Sequence, residues 1–478
     1  VGILAVDCPS SQAKPNFNSS EIEGRCSEII FCDLDGDHLS DAVLVDGLNL
    51  SIFFQDSKQG FPRKAQQQVH LEDRSCVLSS ARFGKNADSL LIMTSDGVTE
   101  LSFTNRMDPP ARQQIIQQET VIPESLDEKF VTYFPFCAET GTEWSLLLVP
   151  VAGGLQVWQH HDGWHQAQFI ERAVETHLHP SIANAGYTRS FDLSLSLGDV
   201  NGDARDDLIV MRNSAAGAQI YSLYLQNAAG RFVLEPALTY TNKADWHVGL
   251  AWADIDRDGK ADLIKSTFLD EPFFVPGMRS GKVVVGAYLA DARGHIPSEP
   301  QHVFRKNDWS SALPVVDVDG DGFVDLVMGH IPISSREGFR KAVTAQEVDF
   351  TLKFYFFRPG AGFSKDPDYE RDLLVHFSNE FFFTENRRLY YEQFISLNGD
   401  FNGDGKKDLL VRDRGSEISV YFFISREKGF SREPDLRFKC PEPIDSWEVK
   451  DLNGDGVSDL IVKLRERNGS RIFISQKK

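Results

Sequence analysis

Asp400-Phe401-Asn402-Gly403-Asp404-Gly405-Lys406-Lys407-Asp408 runs without a break into the aliphatic stretch Leu409-Leu410-Val411. Oxygen-bearing side chains stand at positions 1, 3, 5 and 9 of this nine-residue loop, and a β-prone run follows at once. The pattern D-x-[DN]-x-D-x-x-x-D occurs six times, at 33–41 (DLDGDHLSD), 199–207 (DVNGDARDD), 254–262 (DIDRDGKAD), 317–325 (DVDGDGFVD), 400–408 and 451–459 (DLNGDGVSD). Six copies with the same four positions filled are a repeat, and repeats govern how the rest of the chain is read.

From the second copy onward the intervals are 55, 63, 83 and 51 residues, while the first interval is 166, close to three units of 55. Two degenerate units therefore belong in that gap. Residues 138–149 (AETGTEWSLLLV), preceded by Phe136-Cys137, align without gaps on the stretch after Phe31-Cys32, and 81–93 (ARFGKNADSLLIM) align more loosely. Each loop leads into one β-rich run, such as Leu208-Ile209-Val210 or Leu460-Ile461-Val462, then a polar turn and a second such run. A turn closing on glycine and an aromatic follows: Gly60-Phe61, Gly163-Trp164, Gly230-x-Phe232, Gly362-Phe363, Gly429-Phe430. Four short antiparallel strands per 50–60 residues describe a propeller blade, and no helical period competes for these segments. The expectation is an all-β, single-domain propeller of eight four-stranded blades, or seven if 81–93 is a connector. The spare N-terminal segment Gly2–Val6 would complete the last blade and leave no open sheet edge.

The loops imply a hard cation. Asp33, Asp35, Asp37 and Asp41 in the first copy are matched by Asp199, Asn201, Asp203 and Asp207, by Asp254, Asp256, Asp258 and Asp262, and by Asp317, Asp319, Asp321 and Asp325. The last two sets are Asp400, Asn402, Asp404 and Asp408, and Asp451, Asn453, Asp455 and Asp459. Carbonyls of the position-7 residues Leu39, Arg205, Lys260, Phe323, Lys406 and Val457 would add a further oxygen each. Calcium accepts six to eight oxygens in irregular geometry, whereas magnesium holds its waters and a strict octahedron. About six structural calcium ions are expected, or four if His38 and Ala204 spoil loops whose other copies carry Gly259, Gly322, Gly405 and Gly456 at position 6. An aspartate-glycine turn alone does not need so many carboxylates at fixed spacing. An EF-hand is disfavoured, because Leu44, Val210, Lys265, Met328, Val411 and Val462 stand where its bidentate glutamate would be. The loop from Asp317 to Asp325 has the most complete ligand set. The degenerate units should hold no calcium.

The 478 residues carry 70 Asp+Glu against 50 Lys+Arg, a net charge of -20, which argues against a nucleic-acid binder. No apolar run reaches the roughly 18 residues a membrane helix needs. The start, Val1-Gly2-Ile3, lacks a basic n-region and suggests a processed end. Cysteines 8, 26, 32, 76, 137 and 440 contain no CxxC, and their crowding before residue 140 fits two or three disulfides in an oxidising compartment, although Cys32, in the apolar run Ile29-Ile30-Phe31, is as readily a small core residue.

On these loops the chain resembles the FG-GAP/VCBS repeat β-propellers, the class that includes the integrin α-subunit head, propeller lectins and the propellers of some bacterial polysaccharide lyases. The resemblance implies an extracellular-type, calcium-stapled propeller, hence a secreted, periplasmic or cell-surface protein, and does not choose among adhesion, sugar binding and catalysis. The reading is a binding or scaffold module for a glycan or an extracellular protein; the alternative is a lyase acting on an acidic polysaccharide. Catalytic signatures such as GxSxG or HExxH are missing. Trp246 and Trp309, each after an aspartate and eight residues before a loop, could stack on a sugar, although blade packing is the commoner use. His160, His161, His165, His177 and His179 form the densest histidine cluster, with His177 and His179 on one face if their segment is a strand. Long inserts at 331–345 and 366–388 would be natural partner sites.

Overall fold

A computed structural model describes residues 15–476, except 73, 84–86, 123–130, 141–144, 172–174, 181–186, 193–194, 214–217, 243–247, 269–272, 276–277, 313–315, 331–343, 345–346, 377–393, 414–415 and 465–468. The chain folds as an eight-bladed β-propeller of four-stranded antiparallel blades. Blade 1 is Glu28–Cys32, Asp41–Asp46, Asn49–Phe53 and Gln67–His70; blade 2 begins at Cys76–Ala81, blade 3 at Cys137–Glu139 and blade 4 at Leu195–Gly198. Blade 5 begins at Val248–Ala253, blade 7 at Ile395–Gly399 and blade 8 at Ile444–Lys450. The 11-residue strand His302–Ala312 serves two blades. Its first half ends blade 5 and its second half opens blade 6, pairing Trp309 with His330 and Ala312 with Met328. The degenerate units at 81–93 and 138–149 form the first hairpins of blades 2 and 3.

The second strand of each blade explains the aliphatic run after each loop. In blade 1 Val43 and Val45 point into one cluster and Ala42 and Leu44 into another; in blade 7 Leu409 and Val411 alternate in the same way with Leu410. A strand covered on both sides loses the polar alternation of a half-exposed one. Among the described residues the core falls into eight such clusters, one between each pair of neighbouring blades. The glycine-aromatic turns fill these interfaces. Phe61, Phe232, Phe363 and Phe430 are buried, and their glycines adopt left-handed φ of 64–72°. A Cβ on Gly60, Gly362 or Gly429 would overlap Ser20, His302 or Tyr369 in the fourth strand of the preceding blade.

The ring is closed by Asn16–Glu23, antiparallel to Gly469–Gln476, as the fourth strand of blade 8. Closure thus comes from the N-terminal side as expected, but through a later segment; Gly2–Val6 lies outside the described residues. Part of the expected insert at 366–388 is the ordinary fourth strand of blade 6, Tyr369–His376. The insert at 331–345, apart from Thr344, is outside the described residues.

Hydrogen bonds link consecutive loops around the ring. In six blades the position-8 amide bonds a carbonyl at position 1 or 2 of the preceding blade: Ser40 N to Leu452 O (2.8 Å), Asp88 N to Asp33 O (2.6 Å), Asp206 N to Glu139 O (3.1 Å), Val324 N to Ile255 O (3.1 Å), Lys407 N to Val318 O (2.9 Å) and Ser458 N to Asp400 O (2.7 Å). At blade 3 the Ser145 hydroxyl donates to Arg82 O (2.9 Å).

Candidate metal-binding loops

All six acidic loops join the first strand of a blade to the second, in blades 4, 5, 6, 7, 8 and 1, and so share one face of the ring. Their backbones are alike. Positions 4 and 6 are left-handed in every copy: Gly36, Gly202, Arg257, Gly320, Gly403 and Gly454 at the first, His38, Ala204, Gly259, Gly322, Gly405 and Gly456 at the second. His38 (φ 68°) and Ala204 (φ 63°) therefore hold the same turn as the glycines they replace.

Position 9 has a role that charge spacing did not reveal. Asp41, Asp207, Asp262, Asp325, Asp408 and Asp459 are at most 1% exposed. One carboxylate oxygen accepts the position-2 amide and the other accepts an amide at the end of the third strand or in the turn just after it: for Asp408 these donors are Phe401 (2.7 Å) and Phe423 (3.1 Å). The same pair recurs in all six loops. Burial pushes these carboxyls up to about 7 for Asp41, Asp262 and Asp459, about 6 for Asp207 and about 8 for Asp325 and Asp408, against the opposing pull of the amides. Position 1 closes the turn, its oxygens taking amides such as Gly405 N on Asp400 (2.7 Å).

Three carboxylates converge closely enough to hold a metal ion in the three loops with aspartate at position 3: Asp33, Asp35 and Asp37; Asp254, Asp256 and Asp262; Asp317, Asp319 and Asp325. The other three loops carry Asn201, Asn402 and Asn453 there. In the blade 5 loop the Asp256 Oδ1 atom is buried with no hydrogen-bond partner. An orphaned oxygen among carboxylates fits a cation, because desolvating it uncompensated costs about 1–3 kcal/mol.

Position 5 is paired in every loop. Arg205 and Lys260, at position 7, turn back onto Asp203 and Asp258, and Lys406 reaches Asp404 at 3.5 Å. The Ser475 hydroxyl bonds Asp455 at 3.0 and 3.1 Å. In blades 1 and 6, where position 7 is Leu39 and Phe323, an arginine arrives from the next blade: Arg106 on Asp35 and Asp37, Arg426 on Asp319 and Asp321. The loop with the most complete carboxylate set in sequence is thus ion-paired.

The FG-GAP-like repeat model matches residues 199–264 and 400–462, each match opening on a position-1 aspartate and ending in the second strand of the next blade. The chain thus carries FG-GAP-like repeats within an eight-bladed propeller. No curated protein sequence matches it. Among solved structures, BBS1N in complex with ARL6DN, soaked with lead, is similar at 12% identity and TM-score 0.38, covering 97% of this chain and 98% of that one. A lectin of Agrocybe aegerita described for specific recognition of non-reducing terminal N-acetylglucosamine is similar at 11% identity and TM-score 0.38, covering 78% of this chain and 92% of that one.

Other expected sites of the propeller fall as follows. Trp246 lies outside the described residues; Trp309 sits mid-strand, opposite Gly281 and His330. His177 and His179 stand two residues apart on one strand of a hairpin, Glu175–Pro180 with Tyr187–Asp192. His160 instead packs on Trp164 at 5.0 Å, and Trp164 meets Phe83 edge-on. The disulfide expectation is corrected: Cys26, Cys32, Cys76, Cys137 and Cys440 are free thiols, and Cys8 is outside the described residues. Cys32 and Cys76 are core residues of the blade 1–2 interface, and Cys440 of the blade 7–8 interface.

Proposed function

We propose that this propeller is a calcium-stabilised binding or scaffold module, secreted, periplasmic or displayed at a cell surface, whose partner is a glycan or an extracellular protein. The calcium reading is carried by the blade 5 loop, where Asp254, Asp256 and Asp262 converge and Asp256 keeps a buried oxygen without a partner. When bound, the ion would neutralise carboxylates that otherwise repel one another, and so hold the first hairpin of its blade closed. Support for a binding role is the architecture itself, a ring of interlocked blades presenting turns on a common face, where side chains can change without disturbing the core.

At an extracellular-type affinity of about 10^-4 to 10^-3 M, millimolar calcium adds roughly 0.5–1.5 kcal/mol per occupied loop. Chelation is expected to lower the melting temperature by several degrees and to weaken capture on glycan and extracellular-protein arrays run with and without EDTA. A melt that stays put after verified metal removal sinks the calcium reading; arrays blank in calcium sink the binding reading.

A further inference from the structure

Arg106 and Arg426 are the same residue in two repeats. Each lies in the turn between the third and fourth strands of its blade, three residues after a phenylalanine, Phe103 or Phe423. Both reach back to the loop of the preceding blade and bridge positions 3 and 5 with the guanidinium fork. Arg106 binds Asp35 through Nε and Asp37 through Nη2 (2.7 Å); Arg426 binds Asp319 and Asp321 through the same two nitrogens. The anchoring is also shared. Arg106 lies 5.7 Å over the Phe54 ring and donates to Gln55 O (3.0 Å), while Arg426 lies 5.2 Å over Phe356 and donates to Phe357 O (3.5 Å). Phe54 and Phe356 are equivalent, each preceding the residue whose amide bonds the position-9 aspartate.

A planar cation held by two carboxylates, a carbonyl and an aromatic face is preorganised, unlike an exposed lysine that can swing away. The third three-carboxylate loop supplies the contrast. In blade 6 the position equivalent to Arg106 and Arg426 is Gly360, and in the blade 5 loop it would otherwise serve, Asp256 keeps its orphaned oxygen.

We propose that Arg106 and Arg426 take the place of the cation in the blade 1 and blade 6 loops, so that these two loops are closed by the neighbouring blade and bind no calcium. The inference rests on the calcium reading of the remaining loops. It divides six look-alike sequences into two classes by a residue outside the repeat motif.

The test is calcium stoichiometry by equilibrium dialysis and elemental analysis on the intact chain, for wild type, Arg106→Gln, Arg426→Gln and Asp256→Ala. Wild type should bind no more than four ions, each arginine variant one more than wild type, and Asp256→Ala, which leaves no oxygen at the position filled by Asp or Asn in every other loop, one fewer. Five or six ions in wild type overturn the proposal even if neither arginine variant folds. An unchanged count in both folded arginine variants also overturns it. Calcium absent from wild type and every variant instead removes the calcium reading and, with it, this proposal. A wild type that binds none while each arginine variant gains one supports the arginine as the plug and leaves only the wild-type calcium reading wrong.

Discussion

Asp408 shows how much one side chain of the repeat carries. Its two oxygens hold the amides of Phe401 and Phe423, tying the acidic loop to the turn on the far side of the same blade. Asp408→Ala leaves both amides buried without an acceptor and should cost about 2–6 kcal/mol, at roughly 1–3 kcal/mol for each. Asp404→Ala, in the same loop, removes one amide bond, from Lys406 N (3.0 Å), and a loose pair with the Lys406 ammonium, and is expected to cost about 1 kcal/mol in metal-free protein. Urea unfolding of the two variants checks the order, and equal losses would mean that the two-amide staple contributes nothing. The six buried carboxyls also set a pH dependence. Their folded values of about 6 to 8 lie above the unfolded value of about 3.9, so in between the native chain holds protons that the unfolded chain has released. Metal-free stability is therefore greatest below about pH 4 as far as these groups are concerned, and falls as pH rises through 6 to 8. A cation favours the ionised form and should flatten that fall. A urea midpoint in calcium-depleted buffer that climbs from pH 5.5 to 8 would contradict this.

Glycine-aromatic turns are the blade-to-blade contact at the level of the element. Gly429 has φ 64° and its absent Cβ leaves room for the Tyr369 ring, whereas Gly405 has φ 83° and open space around it. Alanine at Gly405 should cost about 1 kcal/mol for backbone strain alone. Alanine at Gly429 adds a clash inside the blade 6–7 interface and should cost about 2–4 kcal/mol in the same unfolding assay. Loops and second strands are legible in sequence because both obey short-range rules: oxygens at fixed spacing, then an unbroken apolar run covered on both faces. Asn16–Glu23 is not legible, since only Phe17 and Ile22 are apolar in it and its partner, Gly469–Gln476, lies at the other end of the chain. Arg106 and Arg426 escape notice because the motif they complete belongs to another repeat, although the shared F-x-x-R spacing was there to be seen. Left-handed position 4 was also available as glycine in five copies, and Arg257 in the sixth obscured it. Asp88, in a unit without the motif, looks inert in sequence, yet it bonds the Asp33 amide (2.8 Å) and pairs with Arg82 (2.8 Å).

On the scale of the whole molecule, the ring depends on a strand borrowed from the other end of the chain. Deleting residues 1–23 uncovers the edge of Gly469–Gln476, including the buried Ile472 and Ile474. Such an edge invites pairing with a second chain. Light scattering after size exclusion should show concentration-dependent oligomers, reversed by adding the 16–23 peptide; a monomer with the full-length melting temperature would show that closure is dispensable. The hydrogen bonds between consecutive loops have a further consequence, because they run one way. In six of the blades the loop leaves its turn resting on the entrance of the loop before it, as tiles overlap on a roof. Damage at the entrance of one loop should therefore spread forward around the ring. Distorting Asp317-Val318 frees the Lys407 amide of the next blade, while the Val324 amide, hung on Ile255 of the previous blade, keeps its acceptor. Hydrogen exchange at those two amides would read the direction, and the propeller, symmetric in outline, would have a leading and a trailing side at every blade.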